Sequence, residues 1–268
     1  MPHDIPTDDT WSGDVLADRF LDAYDTAKGY VRTAVMHRQL MEHLPPAPAT
    51  VLDVGGGAGT QSFPLAAAGH EVTLLDSSPA MLDRARERLA RLPDAAAGRV
   101  TLLEADGTDA AASVDGRTFD AVLCHGVLGY LDDPAAMVDQ LCRCTAPGGI
   151  VSIMTGNARA SAVQPALEQR WADALAAFDE REGVGVLGVR GRADTVAELG
   201  ELLRAGGVEP LDWYGVWLFA DWLEFGGTTV DVSDPERLRA MAEVEFEAAR
   251  RDPYRQLSRV FHLLGRKG

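Results

Sequence analysis

From residue 50 onward, short and nearly unbroken apolar runs alternate with amphipathic stretches. The runs are TVLDV (50–54), EVTLLD (71–76), RVTLLEAD (99–106), FDAVLCHGV (119–127) and GIVSIM (149–154). Between them lie helical patterns: one up to Ala68, one over PAMLDRARERLARL (79–92), and one from Pro134 to about Thr145. In the second, Leu82, Ala85, Leu89 and Leu92 share a stripe, which leaves Arg84, Arg86, Arg88 and Arg91 as solvent-side charges. Strands that are apolar along their whole length are buried on both faces. The pattern therefore predicts a parallel sheet covered front and back by helices.

Ahead of this alternation, residues from about Asp14 to Leu44 read as helical. Val15, Leu16, Phe20, Leu21 and Tyr24 recur there at three- and four-residue steps. PPAP (45–48) ends the region, because proline neither continues a helix nor tolerates one just before it. After Met154 the pattern changes. Residues 158–192 are rich in Ala, Glu and Arg and then in Gly, which predicts an inserted lid. A helix from about Asp194 to Ala205, a sixth strand region in VEPLDWYGVWLFADW, a helix over 235–251 and a closing strand in SRVFHLLGRK (258–267) complete the chain. The expected architecture is α/β: a Rossmann-like, seven-stranded, mostly parallel sheet with helices on both faces. A helical cap (1–48) precedes that domain (49–268), which carries the lid. In such a sheet a ligand belongs at the carboxyl ends of the strands.

Composition narrows the field. Hydrophobic residues make up 46% and charged residues 25%, which argues for a globular chain and against wholesale disorder. With 25 Lys plus Arg against 41 Asp plus Glu, the formal charge of −16 gives no general attraction to phosphate backbones or anionic membranes. No apolar run reaches membrane-spanning length, and the acidic start MPHDIPTDDTW lacks the layout of a signal peptide. The three cysteines, Cys124, Cys142 and Cys144, are an odd set and no disulfide framework, so a reducing, cytoplasmic setting is expected. Cys142 and Cys144 lie two apart in a predicted helix and so on different faces, one core and one surface thiol. No metal site is expected, and His3, His37, His43, His70 and His262 are scattered.

The most informative segment is VLDVGGGAGT. Asp53 lies near a strand end, and Gly55, Gly56, Gly57 and Gly59 follow before a helix begins. Glycine is needed where a chain turns sharply and a ligand must approach the backbone. The spacing is G-x-G-x-G, with Thr60 where a dinucleotide loop has its third glycine, and no phosphate-loop Gly-Lys-Ser/Thr follows. The tighter turn suits a nucleoside without phosphate.

This motif resembles the first motif of the class I S-adenosylmethionine (SAM)-dependent methyltransferases. Asp76 at the end of the second strand, Asp106 after the third, HGVLGYLDDP after the fourth and APGG before the fifth follow in the order of that class. YDTAKGYVRTAVMHRQL, CHGVLGYLDDP and the DPYRQLSRVFHLL tail are similar, more narrowly, to the tRNA 5-carboxymethoxyuridine methyltransferase family. The resemblance implies SAM as cofactor, with Arg32, Gly55, Gly56, Asp76, Asp106, Gly107 and His125 in contact with it. Asp53, Gly57, Gly59, Ser77 and Met81 complete the expected cofactor site. Asp76 would accept from both ribose hydroxyls, or else cap the next helix. Asp53 would organise the loop or meet the positive end of the methionine moiety, or else be a solvent-exposed strand end. Asp106 would meet the adenine amino group, or else only shape an Asp-Gly turn. Arg32 would pair with the methionine carboxylate, or else be solvated. His125 would be a cofactor contact or a general base, or else a satisfied core histidine.

Tyr24, Tyr130, Asn157 and Trp217 are the expected substrate residues, with Tyr214 a further aromatic nearby. The sequence departs from the RNA-modifying family in two places. DEREGVGVLGVRGR stands where a lysine cluster is expected, and Trp217 where an arginine is. Together with the charge, this favours a small-molecule substrate, such as a natural-product intermediate, and the absence of an obvious general base favours methyl transfer to a carboxylate or hydroxyl oxygen. The alternatives are a tRNA wobble-uridine methyltransferase, with a groove built from Arg190, Arg192, Arg250, Arg251, Arg255 and Arg259, and a non-catalytic SAM-binding module.

Overall fold

The computed structural model describes Asp18 and residues 21–184, 190–228 and 230–268. Its strands are β1 (Thr50–Val54), β2 (Glu71–Asp76), β3 (Val100–Glu104), β4 (Phe119–His125), β5 (Thr145–Gly156), β6 (Glu182–Val184), β7 (Arg190–Arg192), β8 (Val208–Val216) and β9 (Val260–Lys267). The helices used below are α1 (Ala27–Met41), α2 (Ser62–Ala67), α3 (Pro79–Leu89), α4 (Ala135–Cys144), α5 (Val163–Leu167), α6 (Trp171–Ala176), α7 (Val196–Ala205), α8 (Phe219–Phe225) and α9 (Pro235–Ala249). Seven strands form one sheet in the order β3-β2-β1-β4-β5-β9-β8. β1 to β5 pair in parallel, and β9 runs antiparallel to both β5 and β8. The strand order reverses between β1 and β4, so a crevice opens there at the carboxyl edge.

Both faces are buried, as the apolar runs require. On one face, Leu52, Val54, Val122, Ile153 and Phe261 pack against Met137, Val138 and Leu141 of α4 and Leu199 and Leu203 of α7. On the other, Val51, Val72, Leu123, Ile150 and Leu264 meet Val31, Val35 and Leu40 of α1 and Phe246 of α9. Strand register places Asp53 beside Leu123, Leu123 beside Ser152, and His125, Met154 and His262 in one row. Side chains two apart on a strand share a face, so Asp53, His125, Ser152 and His262 all lie under α1.

Several boundaries differ from the sequence reading. The expected helix from Asp14 to Leu44 falls partly outside the described residues. Within them it breaks at Asp25 and restarts at α1, because the Thr26 hydroxyl caps the new helix by accepting from the Gly29 N–H at 3.0 Å. α3 is capped by Ser78, starts on Pro79 and stops at Leu89 rather than 92. β4 ends at His125 because Gly126 turns the chain at φ +78°. The expected lid, 158–192, holds α5, α6 and the β6–β7 hairpin. The three cysteines are free and buried, including Cys144, so neither member of the Cys142/Cys144 pair is a surface thiol.

Candidate active site

The glycine turn leaves β1 in left-handed geometry, with Gly55, Gly57 and Gly59 at φ +69°, +54° and +79°. The N–H groups of Gly55 and Gly56 both donate to the Leu75 carbonyl, at 2.7 and 3.2 Å, which ties the turn to the end of β2. A Cβ at Gly59 would lie 2.4 Å from the Phe63 ring, so the position admits only glycine. Arg88, expected in solvent, instead reaches back from α3. It donates to the Ala58 carbonyl at 2.9 Å and the Thr60 hydroxyl at 3.3 Å, pinning the far side of the turn.

Asp76 is buried at the tip of β2. Gly57 N–H donates to its Oδ2 at 2.8 Å and Ser78 N–H to its Oδ1 at 2.9 Å. Ser78, not Asp76, caps α3, accepting from Met81 N–H at 3.3 Å. Each Asp76 oxygen therefore keeps acceptor capacity for a diol. Burial raises its pKa, opposed by the Ser78 and Gly57 N–H groups. Ser77 is exposed beside it and Met81 is buried on α3.

Asp53 is 2% exposed, so it is no solvent-exposed strand end. The Ser62 hydroxyl donates to its Oδ2 at 2.6 Å. Burial pushes its pKa up to about 6, opposed by the Ser62 bond and the Arg32 charge and reinforced by Asp76. Arg32, on α1, is 3% exposed, with its guanidinium 4.9 Å from the centre of the Tyr24 ring. Its Nε has no hydrogen-bond partner, and it makes no ion pair among the described residues. A buried, unpaired guanidinium is costly and suits an anionic group of a ligand. Arg32 for an anion and Asp53 for a cation fit the two ends of an amino acid.

Asp106 follows β3 on the same edge. Its Oδ1 accepts from the Thr108 N–H at 2.8 Å and hydroxyl at 2.7 Å, so the side chain does shape the turn. Its exposed carboxylate still faces outward, and a Cβ at Gly107 would lie 2.7 Å from Val54 and from Met137. The backbone there runs close to the end of β1.

His125 ends β4 with its Nε2 2.8 Å from Ser152 Oγ and its Nδ1 buried without a partner. Burial, with the charges of His262 and Arg32, holds its pKa well below the usual range. It is neutral and weakly basic. Tyr130 sits in the short turn Leu128–Tyr130; burial and Tyr24 push its hydroxyl up to about 12, opposed by Arg259. Tyr24, Tyr130 and Arg32 thus gather at one edge.

Asn157 and Trp217, expected at the substrate, are both engaged by the protein itself. Asn157 donates to the carbonyls of Gln256 at 3.1 Å and Ser258 at 2.9 Å and accepts from Arg159 N–H at 3.1 Å, so its amide is committed to a loop. Trp217 is buried at φ +61°, with Nε1–H donating to the Lys28 carbonyl at 2.9 Å. Ser62, Ser152, His262 and Gln39 were missed by the sequence reading. Only the parity of positions along β5 and β9 could have singled out Ser152 and His262. Among the described residues, no His, Cys, Asp and Glu cluster could hold a metal ion, and no helix is long and apolar enough to cross a membrane.

A glycine turn after β1, a carboxylate at the tip of β2 and the reversal of strand order define the class I methyltransferase fold. Residues 52–151 match the family model described as a methyltransferase domain. The chain is a SAM-dependent methyltransferase. It is 28% identical over 258 residues, 95% of each chain, to the tRNA 5-carboxymethoxyuridine methyltransferase of Escherichia coli (strain K12). Among solved structures, the CcbJ methyltransferase from Streptomyces caelestis superposes with a TM-score of 0.62 at 19% identity, covering 98% of this chain and 100% of that one. The glycopeptide N-methyltransferase MtfA complexed with SAM gives 0.56 at 16% identity, covering 88% and 94%.

Proposed function

We propose that the enzyme methylates an oxygen, carboxylate or hydroxyl, of a small molecule. The observation that supports this most directly is the state of the arginines that would have formed an RNA groove. Arg250 pairs with Glu42 at 2.7 Å and Arg255 with Asp252 at 2.9 Å, while Arg251 meets Glu247, Arg192 meets Asp194, and Arg259 lies 3.6 Å from Asp221. The side chain of Arg190 lies outside the described part. An arginine already matched by a carboxylate has to give up that partner before it can neutralise a phosphate and release the counterions condensed there.

In this reading Asp76 takes the ribose hydroxyls, with Ser77 and Met81 beside it, and Asp106 with Gly107 takes the adenine edge. Gly55, Gly56, Gly57 and Gly59 admit the nucleoside to the backbone. Arg32 takes the methionine carboxylate, and Asp53 the ammonium. His125 meets the same moiety as a neutral contact rather than a base. Bound SAM supplies an activated sulfonium methyl, so the protein has only to align the acceptor oxygen and exclude water. Tyr24 and Tyr130 wall the acceptor side, and the 158–192 segment closes over it. Three buried free thiols suit a reducing cytoplasm.

The similarity to a tRNA-modifying enzyme over 95% of the chain favours the second reading, transfer to a wobble uridine. Fluorescence titration with total tRNA from low to moderate salt separates the two. No binding at low salt is expected; tight binding that falls steeply with salt would support the tRNA reading instead.

A further inference from the structure

Between α1 and the sheet, four polar side chains form a continuous line, three of them on β4, β5 and β9 and the fourth, Gln39, on α1. His125 Nε2 lies 2.8 Å from Ser152 Oγ, Ser152 Oγ 2.7 Å from His262 Nε2, and His262 Nδ1 2.8 Å from Gln39 Oε1. Ser152, His262 and Gln39 are each 0% exposed. They occupy a layer otherwise built from Val35, Leu123 and Leu264. Buried polar groups in such a layer are costly unless each finds a partner, and none of these three has a part in the proposed chemistry.

A proton count gives the line a direction. Burial keeps His125 neutral and drives His262 down to about 3, so each ring carries one proton. With the Ser152 hydroxyl, and with Gln39 turning its Oε1 rather than its Nε2 to the line, there are three protons for three contacts, and every contact needs one. All three bonds must therefore point the same way. With Gln39 in the orientation that presents Oε1 and leaves its own Nε2 without a partner, His262 Nδ1–H donates to Oε1, Ser152 O–H donates to His262 Nε2, and His125 Nε2–H donates to Ser152 Oγ. His125 Nδ1 is left as a bare, unpartnered lone pair.

We propose that Ser152, His262 and Gln39 are positioning residues that hold the His125 proton on Nε2, so that Nδ1 meets the cofactor only as an acceptor. This rests on the reading of His125 as a cofactor-facing side chain. An acceptor within reach of the Arg32 charge, and on the sheet face it shares with Asp53, selects the α-ammonium of the methionine moiety together with Asp53 and leaves the carboxylate to Arg32.

The test has two independent readouts. In protein labelled with ¹⁵N-histidine, the His125 ring is expected as a single neutral tautomer protonated on Nε2. Ser152→Ala, or Gln39→Leu three links away, is expected to turn it into a mixture, which a merely structural role would not do. A wild-type ring protonated on Nδ1, or variants that leave the tautomer unchanged, would overturn the lock. In calorimetry with S-adenosylhomocysteine, Ser152→Ala should weaken binding roughly tenfold, and by nothing further once His125→Ala is present. Equal losses in both backgrounds would overturn the relay through His125. If His125→Ala alone binds as tightly as wild type, the cofactor-facing reading fails, and the spectrum separately decides the lock.

Discussion

At the scale of single residues, the site is organised by carboxylates whose burial is compensated to different degrees. Asp76 has two backbone N–H donors, whereas Asp53 has one hydroxyl and a pKa of about 6. Because the folded value of Asp53 lies above its ordinary 3.8, the folded protein binds its proton more tightly than the unfolded chain does. The stabilisation this provides is complete below the unfolded value and is lost as pH rises through about 6. At pH 7.5 the ionised carboxylate is then a net cost to the ligand-free protein. Asp53→Asn is expected to be more stable there by on the order of 2 kcal/mol, read by denaturant unfolding, yet to bind S-adenosylhomocysteine more weakly. In the wild type, cofactor affinity should fall by up to about tenfold per pH unit as pH drops below that pKa. Affinity independent of pH between 5 and 8 would remove Asp53 from the cofactor. Asp76→Ala, which takes away the diol acceptor, should cost about a hundredfold in the same titration, as loss of charged hydrogen bonds does.

The residues legible in the sequence were those whose chemistry is local. Gly55 to Gly59 and Asp76 stand at fixed offsets from strand ends, and a turn that needs left-handed geometry announces itself by composition. The His125–Ser152–His262–Gln39 line was not legible. Its members lie 27, 110 and 223 residues apart along the chain and meet only through strand register and the seating of α1. Arg88 was misplaced for a similar reason. Helical periodicity assigns a face, but it cannot see a loop 28 to 30 residues upstream that draws the side chain inward.

Among the elements, α1 carries the most, since one helix supplies the core contacts Val31 and Val35, the buried Arg32 and the Gln39 anchor. The β6–β7 hairpin is seated on the turn after β4 by two glycines. A Cβ at Gly129 would lie 3.0 Å from the Arg192 carbonyl oxygen, and one at Gly191 would lie 2.9 Å from the Gly129 carbonyl oxygen. Gly129→Val is expected to lift the hairpin. Steady-state kinetics should then show the KM for the acceptor rising several-fold while the S-adenosylhomocysteine dissociation constant stays within about twofold. An equal loss in both would place the hairpin in the cofactor site instead. The periodic pattern gave the seven strands of the main sheet and missed the start of α1, because the Thr26 cap interrupts an otherwise continuous amphipathic stretch.

For the molecule as a whole, a charge of −16 and arginines matched by neighbouring carboxylates describe a surface that repels polyanions. The glycine turn and its two carboxylates are nonetheless complete, so the cofactor chemistry is kept, and that surface is what favours the proposed small acceptor. The most direct test uses methyl-labelled SAM, with the purified enzyme incubated separately with total tRNA and with a small-molecule extract of its source cells. Label is expected in the extract and none in the tRNA. Label in the tRNA fraction alone would contradict it and make the enzyme an RNA methyltransferase.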